Sequence, residues 1–305
     1  MTTPQTVTSE SWQKGSESIS SGSAKIQRTL VTAVAGGGGC IIGRQGTIEL
    51  QTLLSYVHTG SCKFCNLDTL EKHAGVFPKT YECIVAWLKE YMDAVKSSDV
   101  LAVGWYPPLA TMELSLLEIW KFAGKRVPLR ALEPYYTEPS NSWLRALDGQ
   151  YVAIVSSFAG SIKKQLPHLQ RIWKGREEML PVGVQWSCVQ SYYSPVLAQG
   201  NCEWSDDIAS WTDAVTSLEM QVVESGAKVA LLGCGGLAMP LALRLKKRGI
   251  AAIVLGGAIQ ILFGIKGRRW NTHPIISTFY NDYWVYPSAE ETPGAAKDIE
   301  GGCYW

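Results

Sequence analysis

Residues 228–257 read KVALLGCGGLAMPLALRLKKRGIAAIVLGG. An unbroken apolar run reaches Gly233 and a glycine turn, a segment over 238–249 repeats apolar residues at helical spacing, and a second apolar run over 250–255 ends at Gly256 and Gly257. Strands that are apolar at every position have both faces buried, and a helix joining two of them makes a parallel pair. The fold class that follows is α/β, a parallel sheet with helices on both faces.

The same alternation extends outward. Upstream, 150–158 reads as a strand, 161–175 as a helix, 182–191 as a strand and 210–225 as an amphipathic helix. Closer to the N-terminus the pattern is less regular: a short strand at 40–42, a helix opening near Thr47, helices over 67–74 and 79–96, a strand over 98–105, a helix over 110–124 and a strand over 127–136. Residues 1–25 are rich in Ser and Thr and read as a disordered polar leader. The domain then spans 26–305, with an N-terminal part over 26–148, the regular part over 149–270 and a tail over 271–305. That tail carries Trp284, Trp305 and several tyrosines, so it is expected to wrap the domain and close a pocket.

Composition narrows the class of partner. The 305 residues include 28 basic and 27 acidic side chains, a net charge of +1 that argues against a nucleic-acid polymer as partner. No apolar stretch reaches membrane-spanning length and no secretory signal opens the chain, so a cytoplasmic protein without a membrane span is expected. The eight cysteines are then expected to be reduced thiols, with the Cys62–Cys65 pair in a loop.

Ligands of parallel sheets bind beyond the carboxyl ends of the strands, and three stretches there carry suitable chemistry. Gly233, Gly235 and Ala238 approximate a dinucleotide-binding turn, yet the next strand ends at Gly256 and Gly257 without the acid that holds a ribose. Arg44 and Gly46 precede a helix that contains Glu49, an arrangement of guanidinium and helix-start amides that suits a phosphate; the alternative is a capped helix with Thr47 as N-cap. Finally, Gln260, Lys266, Arg268, Arg269 and Trp270 follow the second glycine pair, where a cationic cluster would meet an anion or remain a solvated loop.

The runs GGAIQILFGIKGRRW (256–270), YNDYWVYPSAEETP (280–293) and IEGGCYW (299–305), with IIGRQGTIEL (41–50) and LLGCGGLAMPLA (231–242), resemble proteins encoded with bacterial and viral surface-polysaccharide genes, associated with the GT-D type of glycosyltransferase. The resemblance covers about residues 38–305. It implies a Rossmann-like sheet, a nucleotide-sugar donor and a glycan or lipid-linked acceptor. The motif of that type reads R-x-G-D-x-E: Arg44, Gly46 and Glu49 match, and Thr47 stands in place of the aspartate, which puts dependence on divalent manganese or magnesium in doubt. The donor site implied is Arg44, Gly46, Gly233, Gly235, Gly256, Gly257, Gln260, Lys266, Arg269 and Trp270, and the candidate bases are Glu49, Glu291 and Glu300. Two other readings stand beside it: a non-catalytic nucleotide- or sugar-binding protein on the same fold, and a Rossmann oxidoreductase or methyltransferase.

Overall fold

The computed structural model describes residues 9–198 and 202–305. Among these residues seven strands form one sheet: β1 (Ile41–Arg44), β2 (Val100–Ala102), β3 (Lys125–Val127), β4 (Tyr151–Ser156), β5 (Gln185–Gln190), β6 (Val229–Gly233) and β7 (Ala251–Val254). Their order is β3-β2-β1-β7-β6-β4-β5, and every pairing is parallel. The helices are α1 (Ser9–Ala35), α2 (Thr47–Thr59), α3 (Leu67–Ala74), α4 (Tyr81–Lys96), α5 (Pro107–Ile119), α6 (Leu129–Leu132), α7 (Ala159–Gln165), α8 (Leu169–Ile172), α9 (Trp211–Glu224), α10 (Ala238–Lys247) and α11 (Ala258–Leu262). The α/β, Rossmann-like expectation holds.

The apolar strands sort their side chains to two cores. Ile41, Leu101, Val155, Leu232 and Val254 pack under α4, α9 and α10 on one face. Ile42, Val100, Ile154, Leu231 and Ile253 pack under α1, α6, α7 and α11 on the other. Alternation along a strand sends successive residues to opposite faces, and in the central strands β1, β7, β6 and β4 both faces are apolar, so nearly every position there is buried. No helix among the described residues is long and apolar enough to cross a membrane.

The abundance of tryptophan has a structural outlet. The indole N–H groups of Trp87, Trp105, Trp143, Trp173, Trp211, Trp284 and Trp305 each donate to a backbone carbonyl of another element or loop. An indole fills apolar space and pairs a backbone carbonyl, here including those of Leu132, Ile172 and Leu262 at the last residues of α6, α8 and α11, where helices leave carbonyls without an intrahelical partner. The tail over 271–305 is held this way: Trp284 is buried and donates to Ile172 O, and Trp305 donates to Glu291 O.

Three local expectations are corrected. The leader is not disordered up to residue 25: residues 1–8 lie outside the described residues, and α1 runs from Ser9, with Ile19, Ser23 and Ile26 buried. Ser23 anchors it, donating through its hydroxyl to Asn141 O and accepting from Trp143 N. The polar composition of 1–25 hid a narrow contact stripe of small and apolar residues. The strand over 127–136 shrinks to its first residue, because Pro128, which has no N–H for a ladder, leads into α6 instead. The helix over 161–175 breaks after Gln165 into a 3-10 turn at Leu166–His168, where Pro167 cannot supply an i→i−4 bond, and resumes as α8.

The packing of α1 is directly testable at Gly22. A Cβ there would sit 2.5 Å from the Ala131 side chain and 3.3 Å from Pro128. On an undocked helix, replacing glycine by any ordinary residue stabilises, by up to about 1 kcal/mol. Docked as described, Gly22→Val should instead destabilise by about 1–3 kcal/mol through overpacking. Urea unfolding distinguishes the two by the sign of the midpoint shift.

Candidate functional site

A cleft of about 180 Å³ opens at the carboxyl edge of the sheet. The end of β1 and the start of α2 contribute Arg44, Gly46 and Glu49, the end of β6 and the turn after it contribute Gly233 and Gly235, and the segment after β7 contributes Gly256, Gly257 and Gln260. The three stretches singled out in the sequence therefore converge on one place. They do so because all strands run the same way and end at the same edge. At β4 the chain leaves through α7 on one face, whereas at the adjacent β6 it leaves through α10 on the other. The diverging connections leave a crevice between them.

Glycine is needed where backbone passes close to backbone. Gly235 has φ +57°, and a Cβ on it would come within 2.7 Å of Ala74 O at the end of α3. That contact brings Lys72 and His73 to the cleft. Trp87 fixes the same turn from below by donating to Gly236 O at 2.9 Å.

Arg44 is held by what lies above and below it. Its guanidinium stacks on the Trp105 ring at 4.4 Å and lies against Gly256, where a Cβ would be 3.5 Å from Nη1. Trp105 is itself tied down by a bond from its indole to Gln45 O. Buried Glu113 accepts from Gln45 Nε2 and from Gly104 N, which fixes the loop that carries Trp105. A planar cation on an aromatic face keeps its edge free for an anion.

Glu49 occupies the third position of α2, whose N-cap is Gly46 and not Thr47. Its carboxylate folds back over Gly46 and takes the place that a Cβ on that residue would fill. Burial raises the carboxyl pKa above its ordinary value; the Glu49 backbone N–H and the Arg44 guanidinium pull the other way, and Glu300 adds to the rise. Glu300 also lines the cleft, paired with Arg269 at 3.1 Å.

Other expected site residues lie elsewhere. Lys266 does not line the cleft: its ammonium sits over the rings of Tyr280 and Tyr286, and its backbone N–H donates to Val285 O. Arg269 stands behind the wall, holding Glu300 and stacking on Tyr304 at 4.7 Å. Trp270 packs against Gly257 and Gly267, also behind the lining. Glu291 is buried in a capping box with Ser288, accepts from Ser161 N and Oγ, and faces a neighbouring cavity instead. Gln260 lines the cleft, but its amide N–H groups are committed to Lys266 O at 2.8 Å and Tyr304 O at 2.7 Å, leaving buried Oε1 without a partner.

Several lining residues were missed in the sequence: Lys72, His73, Ser157, Ser191, Ser194 and Tyr304. The serines follow the apolar strands at SSF and SYYS, a position that could have marked them. Lys72 and His73 belong to a helix far in sequence from any strand end, and no local signal points to them. Among the described residues no three His, Cys, Asp or Glu side chains cluster as a metal set. No family model, curated protein or solved structure matches the chain.

The raised carboxyl of Glu49 has a signed consequence. A group whose native pKa exceeds its unfolded value contributes stability that is complete below the unfolded pKa, near 4.3, and is lost as pH rises through the native one. Glu49→Gln removes that loss. The melting temperature of Glu49→Gln minus that of the wild type should therefore increase as pH is raised from 4 towards 7. A difference that falls over this range would show that Glu49 is stabilised as the carboxylate.

Proposed function

We propose that the cleft binds the diphosphate of a nucleotide sugar and that the protein transfers the sugar to a hydroxyl of a glycan or lipid-linked acceptor. The observation that carries this reading is the meeting of Arg44, the two glycine turns and Glu49 in one cleft at the carboxyl edge of a parallel sheet. The resemblance of the motifs around Arg44 and after Gly256 to GT-D glycosyltransferases adds the reaction class.

Glycosyl transfer requires two services. Negative charge that develops on the leaving diphosphate needs donors already in place. Arg44, Lys72, His73 and the backbone of the turn at Gly235 that leads into α10 supply them in this reading. With Thr47 in place of the family aspartate, that charge falls to side-chain cations and amides. In an inverting reaction the acceptor hydroxyl must also lose a proton as its oxygen bonds to the sugar carbon and the bond to the phosphate oxygen breaks. Of the three candidate carboxylates, Glu291 is withdrawn by its place in a structural capping box outside the cleft. Glu49, whose buried carboxyl holds a proton more readily than an ordinary one, is the base in this proposal, and Glu300 is committed to Arg269. A nucleotide-binding protein without transfer activity is the second reading, favoured by Thr47.

Calorimetry with uridine, guanosine and thymidine diphosphates, with and without manganese, tests the binding step. At least one should bind, and Arg44→Ala should weaken it by about 1.5–3 kcal/mol, the scale of a charged hydrogen bond. Lys266→Ala should leave binding unchanged. Micromolar binding of NAD or S-adenosylmethionine, with none of any nucleoside diphosphate, would overturn the reading. Glu49→Gln should retain binding but lose release of nucleotide from the nucleotide sugar. Binding without turnover in the wild type, across a panel of donors and acceptors, would favour the second reading.

A further inference from the structure

The cleft is longer than a diphosphate. Its lining runs from Arg44 at the end of β1, past Gly256 and Gly233 at β7 and β6, to Ser156 at the end of β4 and Ser191 just beyond β5. Four strand spacings of about 4.8 Å separate β1 from β5, roughly 19 Å in all. Its two ends therefore receive different parts of a ligand.

The ends differ in chemistry as well as position. Arg44, Lys72 and Glu49 stand towards β1 and β6. The loops after β4 and β5 contribute Ser157, Ser191, Ser194 and Tyr193 to the lining, and none of their described lining residues carries a charge. Trp305 closes this end, its ring edge-on to Tyr193 at 5.5 Å and to Phe158 at 6.2 Å. Ser194 is 1% exposed, and its buried Oγ has no hydrogen-bond partner among the described residues. A buried hydroxyl without a partner is destabilising, so one at the wall of a cleft points to a group that arrives later.

We infer that the β4–β5 end of the cleft is a subsite for a neutral ring bearing hydroxyl groups, and that the ring is the nucleoside of the donor. Serine hydroxyls offer donors and acceptors without charge, and the rings of Tyr193 and Trp305 offer flat apolar surface. That combination suits a nucleobase with its ribose, or a sugar, and not a second phosphate. The choice of the nucleoside rests on the proposed function. The reacting sugar carbon must lie near Glu49 by β1, so the other side of the diphosphate extends towards β5. The neighbouring cavity lined by Glu291 and Lys164 is not needed for this assignment.

Comparison of a nucleoside diphosphate with inorganic pyrophosphate isolates the ring. The best-binding diphosphate of uridine, guanosine and thymidine serves as probe, together with its sugar conjugate. Ser194→Ala should leave the melting temperature unchanged or raise it, since the lost hydroxyl has no partner. It should weaken the nucleoside diphosphate roughly three- to tenfold, the scale of one neutral hydrogen bond, and leave pyrophosphate unaffected. Arg44→Ala should weaken both. Should Ser194→Ala lower stability, Ser191→Ala on the same wall provides the measurement. A loss seen only with the sugar conjugate would keep the hydroxyl-ring subsite and assign it to the sugar. If nucleoside diphosphate and pyrophosphate both bind and neither serine variant weakens the diphosphate or its conjugate, the subsite is overturned while the proposed function stands. If none of these probes binds the wild type, the proposed function and the subsite resting on it both fall.

Discussion

Parallel hydrogen bonding across seven strands is the constraint from which the rest follows. Strands paired in parallel cannot be joined by tight hairpins, so each return to the sheet needs a crossover. Those crossovers cover both faces, and burial on both faces requires strands as apolar as Val152–Val155, Val229–Leu232 and Ala251–Val254. The same parallelism sends every carboxyl end to one edge. Arg44, Ser156, Gly233 and Gly256 are separated by up to about two hundred residues of chain and are neighbours for that reason alone.

The edge is then shaped by close approach. α3 can reach the turn after β6 only because Gly235 and Gly236 lack side chains: a Cβ on either would lie within 2.7 Å of Ala74 O or the Val76 side chain. On the other side of the cleft, the tail is sealed to α11 by the amide of Gln260, which donates to Tyr304 O and Lys266 O. Two cations of the run after α11 lie outside the cleft lining and pack against the tail. Arg269 spends its charge on Glu300 and its face on Tyr304, and Lys266 rests over two tyrosine rings.

Within the cleft, Arg44 pulls against the burial that raises the Glu49 carboxyl, without forming a salt bridge of ordinary geometry. Arg44 is oriented by the Trp105 face, while Glu49 turns back onto the start of its own helix. The carboxylate thus meets the positive end of α2 and leaves the guanidinium edge accessible. Burial outweighs both favourable contacts, and for that reason Glu49 takes up a proton more easily than a surface glutamate.

The run at 228–257 determined the fold class by itself, because apolar periodicity reports burial and burial on both faces of a strand has one common architecture. It also located the glycine turns after β6 and β7, and the Arg44–Glu49 turn was legible from residue types at a helix start. Tertiary structure alone decided which polar residues share the cleft. Lys266, Arg269 and Glu291 have chemistry as suitable as that of Arg44 and Glu49, and their displacement depends on partners distant in sequence, such as Tyr280, Glu300 and Ser161. Lys72, His73 and the serine wall entered for the converse reason. Their positions are set by how α3 and β5 pack against the sheet, and a side chain's neighbours across such contacts leave no trace in the local pattern. The first helix shows the same limit: its polar composition suggested a free leader, yet Ile19, Gly22, Ser23 and Ile26 form a contact stripe whose meaning depends on the surface it meets.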